Sequence, residues 1–303
     1  LIDIELFEVG QTKLAGQYKV VLKLKHGAFG TVYLAKNRQG REFAVKVSKQ
    51  KTSGELEIER DIYSALLAAG SPVGFVKVPV VIQYYETGND YAHPYLVMQL
   101  LGSDIEDIVD KTAGRRLSLK SALMVSWQMI ERLATLLGYV HRDIKPDNMA
   151  VGVKEKANVV YLIDFGLAKP VDRDNNEAKH TGATVGTFRY MSVNSHRGLD
   201  LAKRDDIETL CYVLMFLIEG KLPWQGLPIN TKQGVDQIRS LKESVSRKSF
   251  ARHVPEEIFE MLKHARQLKY SETPDYRYLQ DLLERAMKGA SVKNDGMFDW
   301  IDP

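Results

Sequence analysis

Apolar and polar positions alternate at the start of the chain. Residues 18–24 and 31–35 read as two strands on either side of Gly27-Ala28-Phe29-Gly30. In a third strand, residues 42–47, Phe43, Val45 and Val47 alternate with Ala44, Lys46 and Ser48. Thr52-Ser53-Gly54-Glu55 has the form of a capping box. It predicts a helix to about Ala69, ahead of Gly70 and Pro72, with Ile58, Ile62, Ala65 and Leu66 on one face. Two further apolar strands are predicted near 78–85 and 95–99. Beyond them the period becomes helical. Residues 119–137 carry a stripe of Leu123, Trp127, Ile130, Ala134 and Leu137. Residues 203–218 begin Lys203-Arg204-Asp205-Asp206 and then run almost wholly apolar, which predicts a helix buried on all sides. Helical patterns recur near 255–267 and 275–288. A short apolar strand at 159–163 leads to Asp164-Phe165-Gly166, and 169–184 is polar and loop-like. The reading is an α+β chain of two lobes, with a β-rich first lobe over about 1–98, a connection at about 99–102, and a mainly helical lobe over about 103–303.

Composition changes this picture little. The chain is 44% hydrophobic and 27% charged, ordinary for a soluble globular protein. A net charge of +3 is too small to argue for nucleic acid or an anionic membrane as partner. One cysteine, Cys211, excludes an intramolecular disulfide and reads as a small buried hydrophobe. It lies in the run 210–218, which is too short to span a bilayer. Residues 1–10 are acidic and lack a signal-peptide pattern, and the missing initial Met points to numbering that begins inside a longer chain. The expectation is a monomer of the cytoplasm and/or nucleus.

The chemistry gathers at His141-Arg142-Asp143-Ile144-Lys145-Pro146-Asp147-Asn148. Asp143 is a carboxylate able to take a proton from an attacking hydroxyl. Lys145 can neutralise charge on a transferring phosphoryl group. Asn148 offers a neutral oxygen to Mg²⁺, and Pro146 stiffens the turn. Asp164 follows Asp143 by 21 residues, a spacing that suits two carboxylates returning to one site by a hairpin. The glycine turn alone fits any glycine-containing hairpin, and Lys46 alone fits a solvated edge lysine. Glu59, next to the apolar face of its helix, is the candidate partner for Lys46, with Glu55 and Glu57 as alternatives. Asp206 can accept backbone hydrogen bonds from the 141–148 loop, while helix-start capping is the other role open to Asp205 and Asp206.

The octet, Ala44-Val45-Lys46 and Asp164-Phe165-Gly166, in that order along the chain, resemble the motifs of a eukaryotic protein kinase. Four stretches resemble the casein kinase 1 family: Gly186-Thr187-Phe188-Arg189-Tyr190, Ser192-Val193-Asn194-Ser195-His196, Arg204-Asp205-Asp206-Ile207-Glu208-Thr209-Leu210 and Leu222-Pro223-Trp224-Gln225-Gly226. Pro274-Asp275-Tyr276 and Phe298-Asp299-Trp300 agree. The latter, with Met149-Ala150-Val151-Gly152, also resembles the tau-tubulin kinase branch.

The resemblance implies a bilobal protein-kinase fold. It also implies a serine/threonine protein kinase that passes the γ-phosphoryl of Mg-ATP to protein Ser/Thr hydroxyls, with a preference for acidic or primed substrates. It makes Asp143 the base, Lys145 a phosphate contact, Lys46 and Glu59 an ion pair, and Asn148 and Asp164 the metal ligands. Gly27 and Gly30 would cover the phosphates, and Val32 and Ala44 the adenine ring. Met98 would be the gatekeeper, with Gln99 to Leu101 the hinge that bonds adenine through its backbone. Arg189 and a lysine, for which Lys232 is the nearest candidate, would bind a substrate anion. The chain departs from the family pattern at Lys25, which stands where the first glycine of the loop is usual. It departs again at Ala150, which replaces the leucine usual under adenine, and at the offset stretch 227–234. Activity would not need phosphorylation within 169–187. A pseudokinase scaffold is opposed because no phosphoryl-transfer residue is missing. A small-molecule phosphotransferase is opposed by Lys145 and the 186–196 segment.

Overall fold

The computed structural model describes residues 9–26, 30–48, 54–78, 80–87, 91–136, 138–172, 175–250 and 254–301, with only the backbone course of 80–87, 91 and 92. The chain divides into two compact units: Leu1–Gly102 with Asp164–Gly166, and Ser103–Ile163 with Leu167–Pro303.

Among the described residues the first unit is a six-stranded antiparallel sheet with one helix. Its strands are β1 (Lys13–Leu14), β2 (Tyr18–His26), β3 (Gly30–Lys36), β4 (Glu42–Ser48), β5 (Val80–Thr87) and β6 (Tyr91–Gln99), in the order β1-β2-β3-β4-β6-β5. Alternation decides the faces. Tyr33, Ala35, Phe43, Val45, Val47 and Val97 pack with Tyr18 and Val20 into one buried cluster. On the opposite side chains, Val32 pairs across from Lys46, and Ala44 lies between Leu34 and Met98. The residues assigned to adenine and phosphate in β3, β4 and β6 therefore share one face of the sheet. Gly30 has a local reason to be glycine, because a Cβ there would lie 2.2 Å from the Val47 carbonyl oxygen. Gly27, Thr52 and Ser53 lie outside the described residues.

Helix α1 (Gly54–Ala68) buries Leu56, Glu59, Ile62, Tyr63 and Leu66. That face is turned from the expected one, and Glu59 sits inside it rather than beside it. A carboxylate is tolerated there because Lys46 meets it. Residues 164–166 group with this unit, although the sequence reading puts them in the second lobe. Phe165 packs edge-on to Tyr63, ring centroids 5.2 Å apart, and stacks on Phe75 at 6.2 Å.

The second unit is mainly helical: α2 (Ile105–Asp110), α3 (Leu119–Thr135), α4 (Val193–His196), α5 (Lys203–Glu219), α6 (Lys232–Glu243), α7 (Glu256–Gln267) and α8 (Tyr276–Gly289). Two short antiparallel pairs join it: β7 (Tyr139–Val140) with β10 (Lys169–Pro170), and β8 (Met149–Val151) with β9 (Val160–Leu162). As its composition predicts, α5 is buried from Asp205 through Ile218, Cys211 included, and packs against α3 and α7. It stops at Gly220, whose φ of 77° admits few side chains and whose Cβ would lie 2.2 Å from the Gly114 carbonyl oxygen. Helix α3 starts at Ser118, whose hydroxyl accepts from the Ser121 N–H. Asp299 then accepts from both the N–H and the hydroxyl of Ser118, at 2.7 and 2.6 Å. Leu137, placed on the α3 stripe by the sequence, lies outside the described residues. Among the described residues no helix is long and apolar enough to cross a membrane.

Candidate active site

In the first unit, β4 and α1 bring Lys46 to Glu59. The Lys46 Nζ lies 2.7 Å from Glu59 Oε2 and 2.8 Å from Asp164 Oδ1. Burial alone would lower the Lys46 pKa, but the charges of Asp164 and Glu59 outweigh it and hold it above the ordinary lysine value. Burial raises Glu59 against the pull of Lys46, and the charge of Asp164 adds to it. Two carboxylates thus share one ammonium. Asp164 has a φ of 65°, a left-handed conformation uncommon outside glycine. Of the alternatives to Glu59, Glu57 is exposed and Glu55 half-buried, and neither forms an ion pair with Lys46.

A surplus of negative charge with an oxygen donor set fits Mg²⁺. That ion commonly takes one or two carboxylates and completes its shell with phosphate oxygens and water. No group of three or more His, Cys, Asp or Glu among the described residues forms an all-protein cage. Val32 is half-buried on the Lys46 face, and Ala44 and Met98 are nearly covered. The Gln99 N–H donates to the Lys77 carbonyl at 2.7 Å, so it is not among the groups offered to a ligand.

In the second unit the 141–148 loop hangs from α5. Asp206 accepts from the His141 N–H at 2.7 Å and from the Arg142 N–H at 2.9 Å. Asp205 caps α5 through the Ala202 N–H and also accepts from Ser192 Oγ and Asn194 Nδ2. The two acids have divided the roles that the sequence left open. Arg142 has a φ of 68°, and its Nε donates to the Leu167 carbonyl at 2.6 Å. The Asp143 N–H donates to His141 Nδ1, so His141 Nε2 carries the hydrogen and donates to the Ile163 carbonyl. Both residues after the strand are therefore fixed before Asp143 is reached.

Asp143 itself is nearly buried, and its carboxylate is held from three sides. Thr187 Oγ donates to Oδ1 at 2.8 Å, Lys145 Nζ lies 2.8 Å from Oδ2, and Asn148 Nδ2 reaches Oδ2 at 3.3 Å and the Asp143 carbonyl at 2.9 Å. Both Asn148 bonds use Nδ2, so neither engages its amide oxygen. Gly186, φ 98°, precedes Thr187, and a Cβ there would lie 2.7 Å from the Arg142 carbonyl oxygen. Ala150 is buried in β8 opposite Tyr161.

The segment after Thr187 borders a cavity of about 600 Å³ whose wall includes Glu106, Asp147, Arg189, Tyr190, Trp224 and Leu227. Arg189 is partly exposed, and its Nη1 lies 3.4 Å from Glu106 Oε1 and 3.2 Å from the Tyr190 hydroxyl. Burial, reinforced by Asp147, pushes Glu106 up, while Arg189 pulls it down. Lys232 does not join this wall. It is exposed on the first turn of α6, after the cap Thr231. The position where α6 turns inward is Gly234, which has no room for a side chain, since a Cβ there would lie 2.0 Å from the Pro228 carbonyl oxygen. The sequence gives Thr187, Glu106 and Trp224 no role of their own. Thr187 and Trp224 lie within the stretches that carry the resemblance, which is the signal available for them.

A family model described as the protein kinase domain matches residues 18–288. A probable casein kinase I homolog of Encephalitozoon cuniculi is 37% identical over 295 residues, covering 93% of each chain. Casein kinase I homolog 2 of Schizosaccharomyces pombe is 35% identical over 303 residues, covering 96% of this chain and 67% of that relative. Similarity of this extent agrees with a loop hung by its backbone from Asp206 of α5 and a buried acid tied to a strand lysine: the chain belongs to the protein kinase family, in its casein kinase I group, and is a protein serine/threonine kinase.

Proposed function

We propose that the chain transfers the γ-phosphoryl of Mg-ATP to serine or threonine hydroxyls of proteins, with acidic or pre-phosphorylated segments favoured. The observation that carries this is the setting of Asp143, whose carboxylate is held by Thr187, Lys145 and Asn148. In this reading Asp143 orients the acceptor hydroxyl and takes its proton. Lys145, 2.8 Å away, offsets the charge that grows on the transferred group. In the first unit Lys46, held by Glu59, would contact the nucleotide phosphates and Asp164 would hold Mg²⁺; in the second, Asn148 would be a Mg²⁺ ligand. Gly30 would lie over the phosphates. In the first unit Val32, Ala44 and Met98 would border the adenine, with the Gln99 carbonyl and Leu101 offering it backbone groups; in the second, Ala150 would border it. Mg-ATP, when bound, supplies the electrophilic phosphorus and a cation that spreads its negative charge. Catalysis by these residues is positioning and charge stabilisation rather than covalent chemistry.

The preference for acidic substrates rests on Arg189. Among the described residues its hydrogen bonds run from Nη1, to Glu106 and Tyr190, and the Tyr190 and Phe216 rings lie 5.5 and 5.4 Å from its Cζ, so the other N–H groups of the guanidinium fork can receive a carboxylate or phosphate. With Lys232 outside the cavity wall, that preference is weaker than two cations would give.

The test is kcat/KM for one peptide with and without an upstream phosphoserine, in wild type, Arg189→Ala and Asp143→Asn. The reading expects Asp143→Asn to keep nucleotide affinity and lose turnover by on the order of 10²–10⁴. It expects Arg189→Ala to lose more on the phosphorylated peptide than on the plain one. Equal values for the two peptides in wild type would remove anion recognition from the proposal.

A further inference from the structure

Lys242 is a lysine with no exposed surface, in the last turn of α6. Among the described residues no carboxylate lies within ion-pair distance of it. Its ammonium has three donors and finds three acceptors: the Phe188 carbonyl at 2.9 Å, the Met191 carbonyl at 2.7 Å and His196 Nε2 at 3.1 Å. The faces of Tyr212 and Trp224 lie 5.2 and 5.4 Å from Nζ. Burial pushes the Lys242 pKa well down, with the charge of Glu208 opposing that and Arg266 reinforcing it. A methionine would fill the same space without desolvating an amine. What the lysine adds is a grip on three acceptors within residues 188–196.

Those acceptors bracket the turn that serves Asp143. The Thr187 carbonyl accepts from the N–H groups of Tyr190 and Met191, both at 2.8 Å, and the Thr187 hydroxyl donates to Asp143. Arg189 sits between the two carbonyls that Lys242 holds, and its own carbonyl accepts from Trp224 Nε1 at 2.7 Å. The Phe188 ring meets the His196 ring edge-on at 5.8 Å. The carbonyls of Phe188, Arg189 and Met191 are thus each held by a donor from α6 or from Trp224.

We propose that Lys242 is a positioning residue for phosphoryl transfer: from α6 it fixes the 187–191 turn, so that Thr187 reaches Asp143 and Arg189 faces the cavity. This rests on Asp143 acting as proposed above. The test is Lys242→Met, with Asp143→Asn in parallel, measuring KM for peptide and for ATP, peptide turnover and melting temperature. The expected result is a fall of tenfold or more in peptide kcat/KM, carried mainly by peptide KM, with ATP KM within twofold of wild type. A merely structural lysine would lower the melting temperature and the active fraction while leaving both KM values unchanged. That result overturns the proposal. Wild-type peptide KM in Lys242→Met beside a dead Asp143→Asn also overturns it and leaves the base assignment standing. Full turnover in Asp143→Asn overturns both. Should Lys242→Met not fold, His196→Leu removes the third acceptor instead. Its peptide KM should rise threefold or more at constant ATP KM, and an unchanged peptide KM refutes the inference.

Discussion

Replacing Asp206 by asparagine sets two large effects against each other. The carboxylate accepts from two backbone N–H groups in a buried site, so the amide can serve only one of them. Losing one charge-assisted bond costs about 1.5–3 kcal/mol, and stranding the second N–H adds about 1–3 kcal/mol. Against this, burial pushes Asp206 up to about 7, with the N–H groups of His141 and Arg142 opposing and Asp205 adding to it. At pH 8 that is a penalty on the charged form of about 4 kcal/mol even with both N–H bonds made, which asparagine does not suffer. Overall stability at pH 8 should therefore fall by no more than about 2 kcal/mol.

The loop is not compensated. Arg142 at φ 68° is strained by about 1–3 kcal/mol and loses one of its anchors, so the loop relaxes and turnover should fall at least tenfold. The pH dependence follows from the raised pKa. The folded state holds this proton more tightly than the unfolded state. The wild type therefore gains stability from the group at low pH and loses it as pH rises toward 7. The variant lacks that slope, so its disadvantage should be larger at pH 5.5 than at pH 8. Urea unfolding at the two pH values with kcat at pH 8 measures all three quantities. Unchanged kcat, or a stability gap independent of pH, would refute the reasoning.

Other perturbations probe other parts of the second unit. Burial first, then the charges of Lys242 and Arg239, lower His196 to about 3, so the unfolded chain takes this proton first as pH drops below 6.5. The stability advantage of wild type over His196→Gln should shrink by about 1.4 kcal/mol per pH unit below 6.5, and a constant gap between pH 7 and 5 would contradict this. Gly186→Ala places a Cβ against the Arg142 carbonyl at a positive φ, so peptide turnover should drop at least tenfold, and a wild-type rate would show that the turn has another way to form. Phosphatase-treated enzyme should keep full activity. The 169–187 segment already has an ion pair of Lys169 with Asp200, a Thr181–Gly198 bond and the Thr187–Asp143 bond. Activity that returns only after phosphorylation of a loop threonine would exclude this.

Elements with a strong period were legible in the sequence. β2, β3, β4, α3 and α5 all appear where alternation or an apolar stripe puts them, because their faces are decided by burial alone. α2 and α6 were not. α2 is six residues long, and α6 buries only Gly234, Ile238 and Lys242 in a polar run. Its inward-facing lysine runs against any hydrophobic pattern and becomes intelligible only with the carbonyls it meets. Glu59 was legible as the partner of Lys46 but not as a buried residue, since its partner lies on a different element. Thr187 joins Asp143 across 44 residues, and Arg189 meets Glu106 across 83. Pairings of that range carry no local periodicity.

Asp299 caps α3 from 181 residues further along, and Lys120 in the same first turn binds Asp295. A ribosome adding about 5–20 residues per second reaches Asp299 roughly 10–35 seconds after Ser118. During that interval the start of α3 has its own Ser118 cap but not the carboxylates that complete it. Helix α8, which packs along α3, is also still being made. The second unit therefore cannot close in the order of its synthesis. Helix α3 must wait for residues 295–299, and a nascent chain stalled before residue 295 would expose that helix to chaperones or to aggregation.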